Sequence, residues 1–196
     1  MTTTAVALVL AAGHSQRFGS DKRQQRLDTG QTLLEASLAL PCARLAEVWL
    51  ALRDDDRAPA TLPAKVRVLQ SGASRLGLGH SIAASVERIA QASDAQVLAL
   101  FLADMPFIRP ATFEALLACA DAAHICRPAY QGRPGHPVLF GRAFWPALCQ
   151  LEGDNGARAV LQAHPGAVRT VDVADPGVLL DIDRPADLPS SGQRLD

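Results

Sequence analysis

Apolar runs of strand length alternate along this chain with segments whose apolar residues recur every three or four positions. Ala5 to Ala12 is a continuous apolar run that stops at Gly13, the pattern of a central strand covered on both faces. Shorter runs at Glu47 to Arg53, Val66 to Gln70 and Gln96 to Leu102 predict three further buried strands. Between them, Thr32 to Arg44 sets Leu33, Leu34, Ser37 and Leu38 on one side of a helix that Pro41 ends or kinks. Leu78 to Ala92 repeats Ile82, Val86 and Ile89 at amphipathic spacing. Pro110 to Ala122 predicts a helix with proline in its first turn and Phe113, Leu116 and Leu117 facing inward. Charged, proline-containing Asp54 to Pro63 reads as a loop.

Later in the chain, His124 to Arg127, Pro137 to Phe140, Val168 to Val173 and Val178 to Ile182 read as strands. Arg142 to Leu151 and Gly156 to His164 read as short helices, and Ser190 to Asp196 as a polar tail that frays. Strands alternating with helices predict a three-layer α/β fold with a mostly parallel sheet. Ligands of such sheets sit beyond the carboxyl ends of the strands. The segments after Ala12, Gln70, Leu102 and Ile182 are therefore the candidates for a site.

Composition narrows this picture. With 196 residues, 48% hydrophobic and 20% charged, the chain is a core-forming globular protein with one domain as the default. Nineteen basic against 20 acidic residues leave a net charge of -1, which argues against a nucleic-acid binder working through bulk positive charge. A small anion needs only a local cluster. The lysines are Lys22 and Lys65 alone. Cys42, Cys119, Cys126 and Cys149 show no C-x-x-C spacing, so they read as buried thiols of a cytoplasmic protein. The first apolar run lacks a preceding basic region and is too short to span a bilayer, so no membrane partner is expected.

Chemistry collects at the strand ends. After the first strand, Gly13 permits a sharp turn of exposed N–H groups, and Arg17 and Lys22 add two cations. The spacing fits neither a dinucleotide fingerprint nor a Walker loop. Phosphate binding and a solvated basic loop both remain open on these residues. Asp104 follows a buried strand and precedes Met105-Pro106, as a metal-directed carboxylate or as a cap of the next segment. Asp181 and Asp183 are two apart, so on an extended segment they share a face. Ser71-Gly72 through Gly79-His80-Ser81 leads from a strand into a helix, where backbone groups can approach a planar base. His136, between Gly and Pro, reads as a general base, a ligand-binding donor or simply part of a turn, and the Gly-Asp-x-Gly-x-Arg158 stretch as a tight turn and helix start.

Leu10-Ala11-Ala12-Gly13-x-Ser15-x-Arg17-x-Gly19-x-x-Lys22 resembles the opening signature of the nucleotidyltransferases that include sugar-phosphate and isoprenoid cytidylyltransferases and the molybdenum cofactor enzymes. Leu-x-Asp104-x-Pro is similar to their metal-binding strand end. Asp181-x-Asp183 before Asp187-Leu is similar to the ending of the molybdenum cofactor cytidylyltransferases, with Arg184 in place of Thr and Ala186 in place of Glu. Arg133-x-Gly-His136-Pro-Val followed by Gly-Asp-x-Gly-Ala-Arg158 resembles that same branch, and the likeness runs from Val6 to Leu188.

The resemblance implies a Rossmann-like αβα nucleotidyltransferase fold, with one domain over residues 1–189 and a tail over 190–196. It implies Mg²⁺-dependent transfer of CMP from CTP to the terminal phosphate of molybdopterin, with release of pyrophosphate. Leu10, Ala11, Ala12, Gly13, Ser15, Arg17, Gly19 and Lys22 would wrap the triphosphate; Ser71, Gly72, Gly79 and Ser81 would meet the base. Arg17, Lys22 and Asp104 would be catalytic. Asp104 and Asp183 would hold the metal, with Asp181 the second choice, and Arg133, His136 and Arg158 would face the acceptor. Ala12, where the guanylyltransferase relatives carry glycine, favours cytosine. A molybdoenzyme or its chaperone would take the product. The alternatives are another nucleoside triphosphate or phosphorylated acceptor, or a family member turned to redox or binding duty; Asp104 and Asp183 weigh against the last.

Overall fold

The computed structural model describes residues 4–12, 21–59, 61–183 and 187. Gly13, Ser15, Arg17 and Gly19, and the tail over 190–196, lie outside the described residues.

The strands are β1 (Ala5–Leu10), β2 (Val48–Arg53), β3 (Val66–Ser71), β4 (Val97–Leu102), β5 (Ile125–Tyr130), β6 (Arg133–Pro134), β7 (Val138–Gly141) and β8 (Val168–Asp172). The helices are α1 (Leu33–Arg44), α2 (Leu78–Ala92), α3 (Pro110–Cys119), α4 (Trp145–Leu148) and α5 (Arg158–Ala163). One sheet runs β3-β2-β1-β4-β7-β5-β6, with β8 also paired to β5. β1 to β4 are mutually parallel, and β8 is parallel to β5. β7 lies antiparallel between β4 and β5. The carboxyl ends of β1 to β4 thus open on one edge, and the residues leading into β7 reach that edge from the opposite direction.

Period-two alternation sorts β1 between two cores. Val6, Leu8 and Leu10 face Ile82, Val86 and Ile89 of α2, together with Trp145 and Leu148 of α4. Ala7 and Val9 face Leu34 and Leu38 of α1 and Phe113 and Leu116 of α3. The result is the expected three-layer αβα architecture.

Several boundaries differ from expectation. α1 reaches the expected Arg44, and the buried Pro41 does not end it. α3 stops at Cys119. Residues 142–151 form a 3-10 turn over Arg142–Phe144 and the four-residue α4 rather than one helix. Val178 to Ile182 is not a strand: a 3-10 turn spans Pro176–Leu179, and the chain then crosses the strand ends. Its backbone is satisfied there by loop partners instead of a ladder, with His136 N donating to Val178 O at 2.9 Å and Ile182 N to Asp104 O at 2.9 Å.

Candidate active site

The site is assembled from three strand ends and the C-terminal crossing segment. Ala11 N donates to Ala51 O at 2.9 Å and Ala103 N to Leu10 O at 3.0 Å, so the ends of β1, β2 and β4 are stitched together. Ser37 Oγ, from α1, donates to Ala103 O at 2.9 Å and anchors the residue before Asp104. Lys22 opens a 3-10 turn, Lys22–Gln24, whose N-cap is Asp21.

That turn carries the Lys22 ammonium to the carboxylates. Nζ donates to Asp104 Oδ2 at 2.7 Å, to Asp183 Oδ1 at 3.3 Å and to Ile182 O at 3.5 Å. Burial opposes the charge on Lys22, but the hydrogen bonds and charges of Asp104 and Asp183 outweigh it and hold the ammonium above its ordinary value. Asp181 is exposed beside this contact. Asp187 Oδ2 accepts from Asp183 N at 3.0 Å, which orients the Asp183 backbone.

Asp104 Oδ1 is buried and makes no hydrogen bond, while Oδ2 holds Lys22. An unpartnered carboxylate oxygen with a second carboxylate close by fits a hard divalent cation. No cluster of three or more His, Cys, Asp or Glu side chains forms among the described residues.

His136 precedes β7 at the same edge, with Nδ1 buried and unpartnered. Burial pushes its imidazole down, partly offset by the Asp104 carboxylate, the Leu100 backbone and the Asp181 carboxylate. Arg133 is exposed on β6 and Arg158 is exposed at the start of α5. Neither takes part in the contact of Lys22 with the two aspartates.

On the proposed base side, Ser71 ends β3 and its Oγ accepts from Ala73 N at 3.1 Å. Gly72 is exposed, and Arg75 pairs with Asp54 across the loop. Gly79 has a packing duty: a Cβ there would lie 2.6 Å from Glu152 O. Gly79 N donates to Gly153 O at 2.7 Å, and Gly153 N returns a bond to His80 Nδ1 at 3.1 Å. Ser81 is buried one turn into α2.

Sequence reasoning overlooked Arg23 and Asp56. Arg23 follows Lys22 and forks onto Asp56, whose side chain is only 3% exposed. A run of three aspartates reads as solvent-facing; its position at the carboxyl end of β2 was the available signal.

Residues 7–168 match the MobA-like NTP transferase domain. The chain belongs to that family. This nucleotidyltransferase is 29% identical over 195 residues to the purine catabolism protein PucB of Bacillus subtilis, covering 92% of each chain. It is 34% identical over 137 residues to a probable molybdenum cofactor guanylyltransferase of Chloroflexus aggregans, covering 67% of this chain and 62% of the relative. Rv0371c of Mycobacterium tuberculosis superposes with a TM-score of 0.76 at 30% identity, over 94% of this chain and 96% of that one. A manganese complex of Rv0371c superposes with a TM-score of 0.72 at 26% identity, with the same coverage of the two chains. No described helix of the NTP transferase is long and apolar enough to cross a membrane.

Proposed function

We propose that this nucleotidyltransferase moves CMP from CTP to the terminal phosphate of molybdopterin and releases pyrophosphate. The observation that carries the reading is Lys22 set against Asp104 and Asp183 at the carboxyl edge of β1 and β4. In this reading an acceptor phosphate oxygen attacks the α-phosphorus. The bond from that phosphorus to the bridging oxygen breaks, and pyrophosphate leaves with the electron pair. The acceptor phosphate is already an anion at neutral pH, so no strong base is needed. Arg17 and Lys22 offset the charge that grows on the leaving group. Asp104 and Asp183 would hold Mg²⁺, which when bound would supply charge neutralisation at the phosphates.

Leu10, Ala11, Ala12, Gly13, Ser15, Arg17, Gly19 and Lys22 would bind the triphosphate, and Ser71, Gly72, Gly79 and Ser81 would meet the base. Arg133, His136 and Arg158 would face the acceptor. The reading takes residues 1–189 as one domain. Ala12 supports cytosine; the guanylyltransferase relative supports GTP as the competing substrate.

The test is turnover of α-labelled CTP and α-labelled GTP with molybdopterin and Mg²⁺. Labelled product from CTP is expected, and Lys22→Ala lowers the rate by about 100-fold or more. Transfer from GTP but not CTP overturns the base assignment. Absence of transfer from either, with other phosphorylated acceptors active, overturns the acceptor.

A further inference from the structure

Next to Lys22, the Arg23 guanidinium is held on three sides. Nη1 and Nη2 both donate to the Asp56 carboxylate, Nη2 to Oδ1 at 2.6 Å. Nε and Nη2 reach Asp21 at 2.7 and 3.0 Å. Nη1 also donates to Ala11 O at 3.4 Å. Asp56 is fixed in turn by Arg53 N at 2.9 Å and Arg53 Nη2 at 3.2 Å, and its own carbonyl accepts from Gln70 Nε2 at 2.6 Å. Burial would raise the Asp56 carboxyl, but the bonds from Arg23 and Arg53 override it and hold it below the ordinary carboxylate range.

Exposed ion pairs fluctuate and contribute little. A forked pair with both oxygens satisfied and one partner buried defines a single geometry. Ala11 and Arg23 flank the 12–22 segment, and Arg53 ends β2. The guanidinium therefore ties the Lys22–Gln24 turn to Ala11 at the end of β1 and, through Asp56, to Arg53 at the end of β2. Lys22 and Arg23 are consecutive in one turn, so a shift of one backbone carries the other.

We propose that the Arg23–Asp56 pair is a clasp that holds the Lys22–Gln24 turn against the end of β1 and the loop after β2, and so sets Lys22 against Asp104 and Asp183. Both members are then positioning residues for phosphoryl transfer. The role rests on the reading of Lys22 given above.

Asp56→Asn keeps the shape and removes the charge; Asp56→Ala removes both; Arg23→Lys keeps charge without the fork. At saturating nucleotide each variant is expected to lose about 10- to 100-fold in kcat, the scale of a misplacement near 1 Å. The double variant R23A/D56A falls no further than the worse single one, because the two act as a unit. A second readout needs no substrate. Limited trypsin digestion followed by mass spectrometry should show cleavage after Lys22 and Arg23 faster by about ten-fold in Asp56→Ala, with other sites unchanged.

Unchanged kcat at saturating nucleotide overturns the clasp, even where Tm falls, since a merely structural pair moves Tm alone. Should Asp56→Ala fail to fold, Asp56→Asn and Arg23→Lys carry both measurements. A wild-type protein inactive with every triphosphate sinks the functional reading instead. The digestion then decides the clasp by itself: unaltered cleavage at Lys22 and Arg23 overturns it.

Discussion

Lys22 stays charged because two carboxylates outweigh its burial, whereas Cys126 stays neutral because no counter-charge does so. Cys126 lies in β5 with Sγ donating to Cys119 O at 3.2 Å. Burial, then the neighbouring Cys119 thiol, push its own thiol up to about 12 from an ordinary 9.0. A raised folded value means that the contribution to stability is whole below about pH 9 and is lost as the pH climbs toward 12. Thermal melts of Cys126→Ala should therefore show a flatter decline in Tm above about pH 9 than the wild type. Native alkylation near neutral pH should reach Cys126 last of the four thiols, which peptide mapping would reveal. At this scale the sequence disclosed Asp104, which stands just beyond an apolar run, and Lys22, a cation in the loop that follows the first strand. It hid Asp56, because a carboxylate in a charged stretch reads as solvated until an arginine from another segment is known to cover it.

Helix α1 begins in a capping box. Thr32 Oγ1 accepts from Glu35 N at 3.2 Å, and Glu35 Oε2 accepts from Thr32 N at 2.8 Å. The helix then reaches the site through Ser37 and the carbonyl of Ala103. Thr32→Ala should cost about 1 kcal/mol and lower Tm by roughly 2–4 °C for a domain of this size; calorimetry reads both. The Thr-x-x-Glu spacing of the box is a local pattern that lies in the sequence, although the helix reading rests on the apolar positions alone. Val178 to Ile182 was not legible: its apolar content equals that of a strand, but whether a backbone joins a ladder depends on an available edge. β5 already pairs with β8 over most of its length and with β7 and β6 at its two ends, and the segment crosses the strand ends instead.

Lys22 and Asp104 are 82 residues apart, and Lys22 and Asp183 are 161 apart, so the cluster exists only in the folded chain. A nucleotide bound there with a divalent cation stabilises the fold by mass action, about 2.7 kcal/mol at one hundred times Kd. Differential scanning should show a rise in Tm of roughly 5–10 °C with nucleotide and cation together. The cation-dependent part should vanish in Asp104→Ala; its persistence would place the ion elsewhere. The sequence by itself determined the layers, because strand and helix periodicities are stereochemical and sort Val6, Leu8 and Leu10 from Ala7 and Val9 within a few residues. It also located the candidate chemistry at the strand ends, since a parallel sheet exposes those ends and little else of its backbone. Tertiary structure alone decided that Lys22 contacts Asp183 while Asp181 is left exposed, that Asp56 is buried under Arg23, and that Gly79 is pressed against Glu152. Each of those facts is a meeting of segments far apart in the chain, and a local pattern carries no record of which distant segment will arrive.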